Sequence, residues 1–225
     1  KNFLIFGGSS GIGASICRKI SENGHKAIII CRKKVISLDQ YPNVEIIELD
    51  LLNLDKNKIF QIYCDHPNLD GICFAQRYRF NKDNTKNKSI EEYIVMVKTI
   101  AESIIQLKKY LEIKKKVNKN HFSRLLIIGS SYATRVGKDQ DWSYHSVKSS
   151  QLALVKYFAL HNNGFFNINM ISPATFIKEG AESYWSNHPK NKHWEKNSYG
   201  LIDSKLLAEE AFNIMLNSSI YYSGN

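Results

Sequence analysis

Six short runs rich in Ile, Leu and Phe, at 2–6, 26–31, 44–48, 70–75, 123–129 and 165–172, alternate with longer amphipathic segments at 11–23, 55–64, 89–115, 142–162 and 204–217. This alternation constrains the fold more than any other feature of the chain. Strand and helix in turn predict a parallel, doubly wound sheet built with right-handed crossovers. The strand candidates Ala27-Ile-Ile-Ile30 and Leu125-Leu-Ile-Ile128 are apolar without a break, as expected where helices cover both faces. No Pro/Gly/Ser linker divides the chain and no repeat is evident, so one α/β domain over residues 1–225 is expected.

Composition narrows what that domain does. A hydrophobic fraction of 43% with 23% charged residues excludes disorder, collagen-like repeats and low-complexity scaffolds. The net charge of +10 admits nucleic acid, an anionic membrane or an acidic small molecule as partner. Only six of the 31 cations are Arg, however, so the excess reads as a solvated lysine coat, and the polar stretches 81–88 and 108–121 read as surface. No run approaches the ~20 apolar residues of a membrane span, and no signal peptide precedes the first strand. Cysteines 17, 31, 64 and 73 lack CxxC spacing and fit reduced thiols. A cytoplasmic protein that engages neither nucleic acid nor membrane is the expectation.

The first strand runs into Gly7-Gly8-Ser9-Ser10-Gly11-Ile12-Gly13, which opens the first helix. Glycines at a strand-to-helix turn let backbone approach a pyrophosphate seated on the positive end of the helix. The spacing is Gly-x3-Gly-x-Gly; counted from Gly11, the Gly-x-Gly-x-x-Gly pattern ends on Ile16 instead of glycine. At the end of the second strand NAD requires a carboxylate and NADP a cation. Ile30-Cys31-Arg32-Lys33-Lys34 has no acid there, so NADP(H) is expected, with Arg32 as contact and Lys33 as support.

The fifth strand candidate ends in Gly129-Ser130-Ser131, and Tyr144 and Lys148 follow on a helical segment. Positions i and i+4 share a helix face, so phenol and ammonium can converge. Three Tyr-x3-Lys pairs exist, at Tyr78/Lys82, Tyr110/Lys114 and Tyr144/Lys148, but only the third follows a buried strand ending in a hydroxyl pair.

The glycine turn, Ser131, Tyr144-x3-Lys148 and Asn169-Met-Ile-Ser-Pro173, in that order, resemble the classical short-chain dehydrogenase/reductase family over essentially the whole chain. The resemblance implies a single NADP-binding catalytic domain of Rossmann type. It implies Tyr144 as general acid/base, Lys148 as ribose ligand that favours phenolate, and Ser131 as the group orienting the substrate oxygen. A phenol otherwise ionises near ~10, so an adjacent ammonium is what brings its chemistry toward neutrality. The cofactor contacts implied are Gly7, Ser9, Ser10, Gly11, Ile12, Gly13, Arg32, Lys33, Asp50, Leu51, Ala75, Lys148 and Pro173. Self-association into a homodimer or homotetramer through the helices near 89–115 and 142–162 is also implied, although Ile94, Val97, Ile100, Ile104, Leu152, Val155, Phe158 and Ala159 fit a core stripe equally.

Departures from the family pattern are specific. Its Asn-Asn-Ala-Gly stretch is Cys73-Phe74-Ala75-Gln76, its leading Thr is Phe6, and Val97 or Lys98 holds the approximate place of its tetrad Asn. After the sixth strand its Pro-Gly is Pro173-Ala174, and the following Thr is replaced by Lys178. Gln76, Arg77, Arg79 and Trp142 are the substrate-side candidates; the two arginines serve equally as an anion clamp or as solvated side chains. The aromatic-bearing segment 178–200 is expected to be a substrate lid. Histidines 145, 188 and 193 lack a carboxylate partner in their spacing and read as surface or lid residues, so no metal is expected. Ser219-Ile-Tyr-Tyr-Ser-Gly-Asn225 resembles the entry to the family's seventh strand, from which the natural chain is expected to continue. An NADP(H)-dependent oxidoreductase interconverting a carbonyl and a secondary alcohol on a polar small molecule is the leading expectation. The alternative is a catalytically weakened NADP-binding regulatory or subunit protein of the same fold.

Overall fold

A computed structural model describes residues 1–32, 38, 40–77, 88–115, 123–138, 142–162, 164–174, 176–177, 183–184, 187, 202–217 and 224, with backbone alone at 88, 89, 115, 176 and 177. Along β1 (Asn2–Phe6) side chains alternate between two apolar layers, Leu4 and Phe6 entering one and Phe3 and Ile5 the other. The pattern repeats in β2 (Lys26–Cys31), β4 (Leu69–Phe74) and β5 (Ser123–Ile128), where Ile28, Ile72 and Leu125 join the first layer and Ile29, Cys73 and Leu126 the second. A sheet apolar on both faces needs helices on both. Helix α1 (Gly11–Glu22) covers the second layer with Ile16 and Ile20, and α6 (Ser204–Asn217) adds Ala211, Phe212 and Met215. The first layer is closed by α2 (Lys56–Asp65), α4 (Thr99–Lys115) and α5 (Trp142–His161) through Ile59, Ile100, Ile104, Val155 and Phe158.

With β3 (Val44–Glu48) and β6 (Phe166–Ile171) at its edges, the sheet has the order β3-β2-β1-β4-β5-β6. Every adjacent pair is parallel. This is the doubly wound, Rossmann-type order expected from the alternation, with its reversal between β1 and β4. The predicted elements fall within one or two residues of those observed.

Several features depart from that expectation. The long helix predicted over 89–115 consists of α3 (Lys88–Tyr93), a π-helical stretch Ile94–Lys98 and then α4. Two 3₁₀ turns, Leu51–Asn53 and Ser131–Ala133, follow β3 and β5. A two-stranded parallel ladder joins β7 (Phe176–Ile177) to β8 (Ile202–Asp203), which flank the predicted lid; of 178–200 only 183, 184 and 187 are among the described residues. The Gly224 N–H donates to the Ile168 carbonyl of β6 at 2.8 Å; the rest of the stretch read as the entry to a seventh strand, residues 219–223 and 225, lies outside the described set. Of the stripe offered for self-association, Val97, Ile100, Ile104, Val155 and Phe158 are buried in this chain's own core. Among the described residues no helix is long and apolar enough to cross a membrane. The four cysteines are free thiols, with Cys17, Cys31 and Cys73 buried.

Phe6 and Phe74 stack across β1 and β4 with ring centroids 4.9 Å apart. Phe74→Ala is expected to cost about 3–5 kcal/mol in urea denaturation. Val136→Ala, at an 87% exposed position, is expected to change stability by less than about 0.5 kcal/mol in the same assay.

Candidate functional site

The cleft forms where the chain leaves β1 and β4 in opposite directions. Gly7 N–H donates to the Ile30 carbonyl at 2.9 Å and Ala75 N–H to the Phe6 carbonyl at 3.0 Å, so three strands end at one level. Gly7 has φ +81°, and a Cβ there would strike the backbone of Gln76. Gly13 packs against the Gly7 carbonyl with no room for a Cβ. The turn therefore crosses tightly over the loop after β4, and α1 starts directly behind it. Ser10 caps α1 in extended conformation without a side-chain cap bond, and the first turn contains no acid. The positive end of α1 thus faces the cleft, lined by Ser9, Ser10, Gly11 and Ile12. On the far side stand Arg32, just past β2, and Asp50 with Leu51. The Asp50 carboxylate accepts from Leu52 N–H at 3.1 Å and Asn53 Nδ2 at 3.3 Å, which holds the 3₁₀ turn against the cleft. Lys33 lies outside the described residues.

These features fit a dinucleotide phosphate. An open helix N-terminus and a glycine turn without side-chain bulk suit a pyrophosphate, and a cation past β2 suits an additional phosphate.

The other half of the cleft is built on α5. Tyr144 and Lys148, one turn apart, both line it. Lys148 is only 4% exposed; its Nζ donates to the Ile128 carbonyl and to Gln151 Oε1, each at 3.0 Å. That ammonium lies 5.6 Å from the centroid of the Tyr144 ring, and the Arg77 guanidinium carbon lies 4.9 Å from the same centroid. Burial pushes Lys148 down to about 7; Arg77 adds to the depression and Glu92 opposes it. Glu92 is itself buried and accepts from the Ser143 hydroxyl at 3.3 Å.

Where the family's tetrad Asn was expected, the π-helical stretch carries buried Val97 and exposed Lys98. Two glutamines reach this stretch. Gln151 Nε2 donates to the Met96 carbonyl at 2.9 Å, and Gln76 Nε2 donates to the Val95 carbonyl at 3.3 Å. Gln76, read from sequence as a substrate contact, lines the cleft yet spends its amide nitrogen on backbone, while its Oε1 is buried without a hydrogen-bond partner among the described residues. Gln151, Glu92 and Val95 were not foreseen; none belongs to a local motif.

Of the remaining candidates, Ala75 and Arg77 line the cleft. Ser131 and Pro173 stand next to each other, the Ser131 N–H donating to the Pro173 carbonyl at 3.1 Å, but neither is part of the cleft lining. Within the hydroxyl pair, Ser130 is the one committed to backbone, its oxygen accepting from Tyr132 N–H at 3.3 Å. Trp142 is 67% exposed at the start of α5 and does not reach the cleft, because the helix turns that position outward. Arg79, His188 and His193 lie outside the described residues. His145 meets the Gly137 carbonyl at 3.1 Å and packs edge-on against Tyr132; among the described residues no cluster suited to a metal ion occurs.

No protein-family model matches the chain, and no curated protein matches it in sequence. Solved structures do resemble it. The crystal structure of BdcA in complex with NADPH superposes with a TM-score of 0.79 at 16% identity, covering 100% of this chain and 90% of that one. A short chain dehydrogenase family protein from Francisella tularensis subsp. tularensis SCHU S4 gives 0.74 at 20%, covering 99% and 94%. The NADPH-dependent 3-quinuclidinone reductase from Rhodotorula rubra gives 0.76 at 17%, covering 100% and 87%. The chain has the short-chain dehydrogenase/reductase fold.

A buried lysine that ionises near 7 when folded and near 10.5 when unfolded loses a proton on folding between those values, so stability rises with pH across that window. The wild-type melting temperature, measured without ligand, is expected to rise between about pH 7 and 8.5. Lys148→Met should abolish that slope; an identical slope in the variant would contradict the assignment.

Proposed function

We propose that this protein is an NADP(H)-dependent oxidoreductase that interconverts a carbonyl and a secondary alcohol on a polar small molecule. The observation that carries the reading is Tyr144, set in the cleft with the Lys148 ammonium and the Arg77 guanidinium both close to its ring, beside a glycine turn that leaves a helix N-terminus open. In this reading Gly7, Ser9, Ser10, Gly11, Ile12 and Gly13 form the phosphate turn, and Arg32, with Lys33, binds the 2′-phosphate. Asp50, Leu51 and Ala75 bound the remainder of the dinucleotide site, with Pro173 beside Ser131 at its margin. When bound, the nicotinamide supplies or accepts the hydride.

The chain's own residues handle the proton. Tyr144 gives a proton to the substrate oxygen in the reductive direction and removes it in the oxidative direction. Two cations near the ring stabilise negative charge on the phenol oxygen while the proton is away. Lys148 also has an N–H left for a ribose hydroxyl after its two protein acceptors are counted. Ser131 orients the substrate oxygen, and Arg77 attracts an anionic group on a sugar-like substrate. Val97 or Lys98 at the approximate place of the family's Asn favours a second reading, a weakened NADP-binding regulatory or subunit protein of the same fold.

A panel of polar carbonyls, including phosphorylated and nucleotide-linked sugars, assayed by NADPH oxidation separates the two. At least one substrate is expected to turn over, and Tyr144→Phe to lower kcat by about 10²–10⁴-fold with NADPH affinity retained. NADPH binding without any Tyr144-dependent oxidation would leave only the second reading. Arg32→Asp is expected to move cofactor preference from NADP toward NAD; unchanged relative rates with the two cofactors would remove Arg32 from the 2′-phosphate site.

A further inference from the structure

We propose that Gln151 is the positioning residue for Lys148, holding the ammonium in the cleft by a direct amide contact in a chain where Val97 or Lys98 stands at the approximate place of the family's Asn. The proposal rests on the role given to Lys148 above.

Three observations carry it. Gln151 follows Lys148 by three residues on α5, so the two side chains share a helix face. It is 1% exposed, and its Nε2 is anchored to the Met96 carbonyl of the π-helical stretch at 2.9 Å. That anchor leaves only Oε1 to face Lys148, at 3.0 Å. Reversing the amide would turn its N–H groups toward an ammonium and its oxygen toward a carbonyl, losing both bonds at once. The orientation is therefore dictated by its two partners.

The apolar side chains of the π-helical stretch, Val95, Met96 and Val97, offer an ammonium no acceptor. What the stretch does offer is backbone carbonyl oxygen, since a π turn departs from the regular α-helical ladder. Gln151 relays that fixed backbone position to Lys148. The other groups bearing on Lys148 are Arg77 from the loop after β4, Glu92 from α3 and Tyr144 on its own helix. Arg77 and Glu92 act on Lys148 by charge and Tyr144 presents only its ring; among the described residues the acceptors of its Nζ are the Ile128 carbonyl and Gln151 Oε1.

A glutamine that only fastens α5 to the π turn would alter stability without altering Lys148. Gln151→Glu and Gln151→Met distinguish the cases in the full chain. Without ligand, wild-type stability begins to rise with pH near 7, where Lys148 loses its proton in the folded protein. A carboxylate at 151 loses the donor to the Met96 carbonyl but keeps an acceptor for Lys148 and favours its charged form, so in Gln151→Glu the onset should move up by at least about one pH unit; in Gln151→Met, with donor and acceptor both lost, it should move down. With NADPH and a carbonyl substrate, Gln151→Met should lower kcat about tenfold with KM within about twofold, and Gln151→Glu, which keeps the acceptor but not the anchor, should recover part of that loss. If Gln151→Met does not fold, the onset in Gln151→Glu decides alone. Folded variants with wild-type onset and wild-type kcat would overturn the proposal. Absence of Tyr144-dependent turnover in the wild type would instead remove the proposed function, and the ligand-free onset would still decide for or against Gln151.

Discussion

Parallel pairing of β1 with β2 on one side and β4 on the other is the constraint from which the site descends. Because the chain leaves β1 toward one face and reaches β4 from the other, no crossover fills the space above their carboxyl ends. Backbone hydrogen bonds at Gly7 and Ala75 hold the rim level, and the absence of side chains at Gly7 and Gly13 allows α1 to begin immediately behind it. A bulkier turn would push the helix terminus away from the crevice and separate its dipole from whatever enters.

The opposite wall depends on a buried cation. Removing Lys148 from water is unfavourable, and two oxygens, one from β5 and one from Gln151, offset part of that cost. Arg77 works against the ammonium and Glu92 for it, which leaves its charge finely balanced. Tyr144 sits near two positive groups of different character. Arg77 presents an exposed guanidinium, while Lys148 is enclosed and titrates near neutrality.

The sheet could be read from the chain because burial leaves a periodic trace: six apolar runs became the six strands of the central sheet. The glycine turn and Tyr144-x3-Lys148 were readable because their chemistry is local, confined to consecutive residues or one helical turn. The π-helical stretch was not, since Val95, Met96 and Val97 are as apolar as an α-helix requires and hydrophobicity does not report which carbonyl an N–H selects. Gln151 was invisible for a related reason: its partner Met96 is 55 positions away in sequence. Gln76 stood out in sequence as a departure from a family pattern and as a substrate-side candidate, but its bond to the Val95 carbonyl, 19 positions away, left no local trace. Trp142 precedes Tyr144 closely in sequence yet stands outside the cleft lining, because each step along a helix turns the side chain by about 100°.

The balance at Lys148 has a thermodynamic corollary for anything negatively charged that settles beside it. Near neutral pH part of the population holds this amine uncharged, and an arriving anion favours the ammonium, so binding draws protons from solution. Affinity is then coupled to solution acidity, and the heat of binding contains a contribution from the buffer that gives up those protons. A cleft of this kind senses its medium before any bond is made or broken.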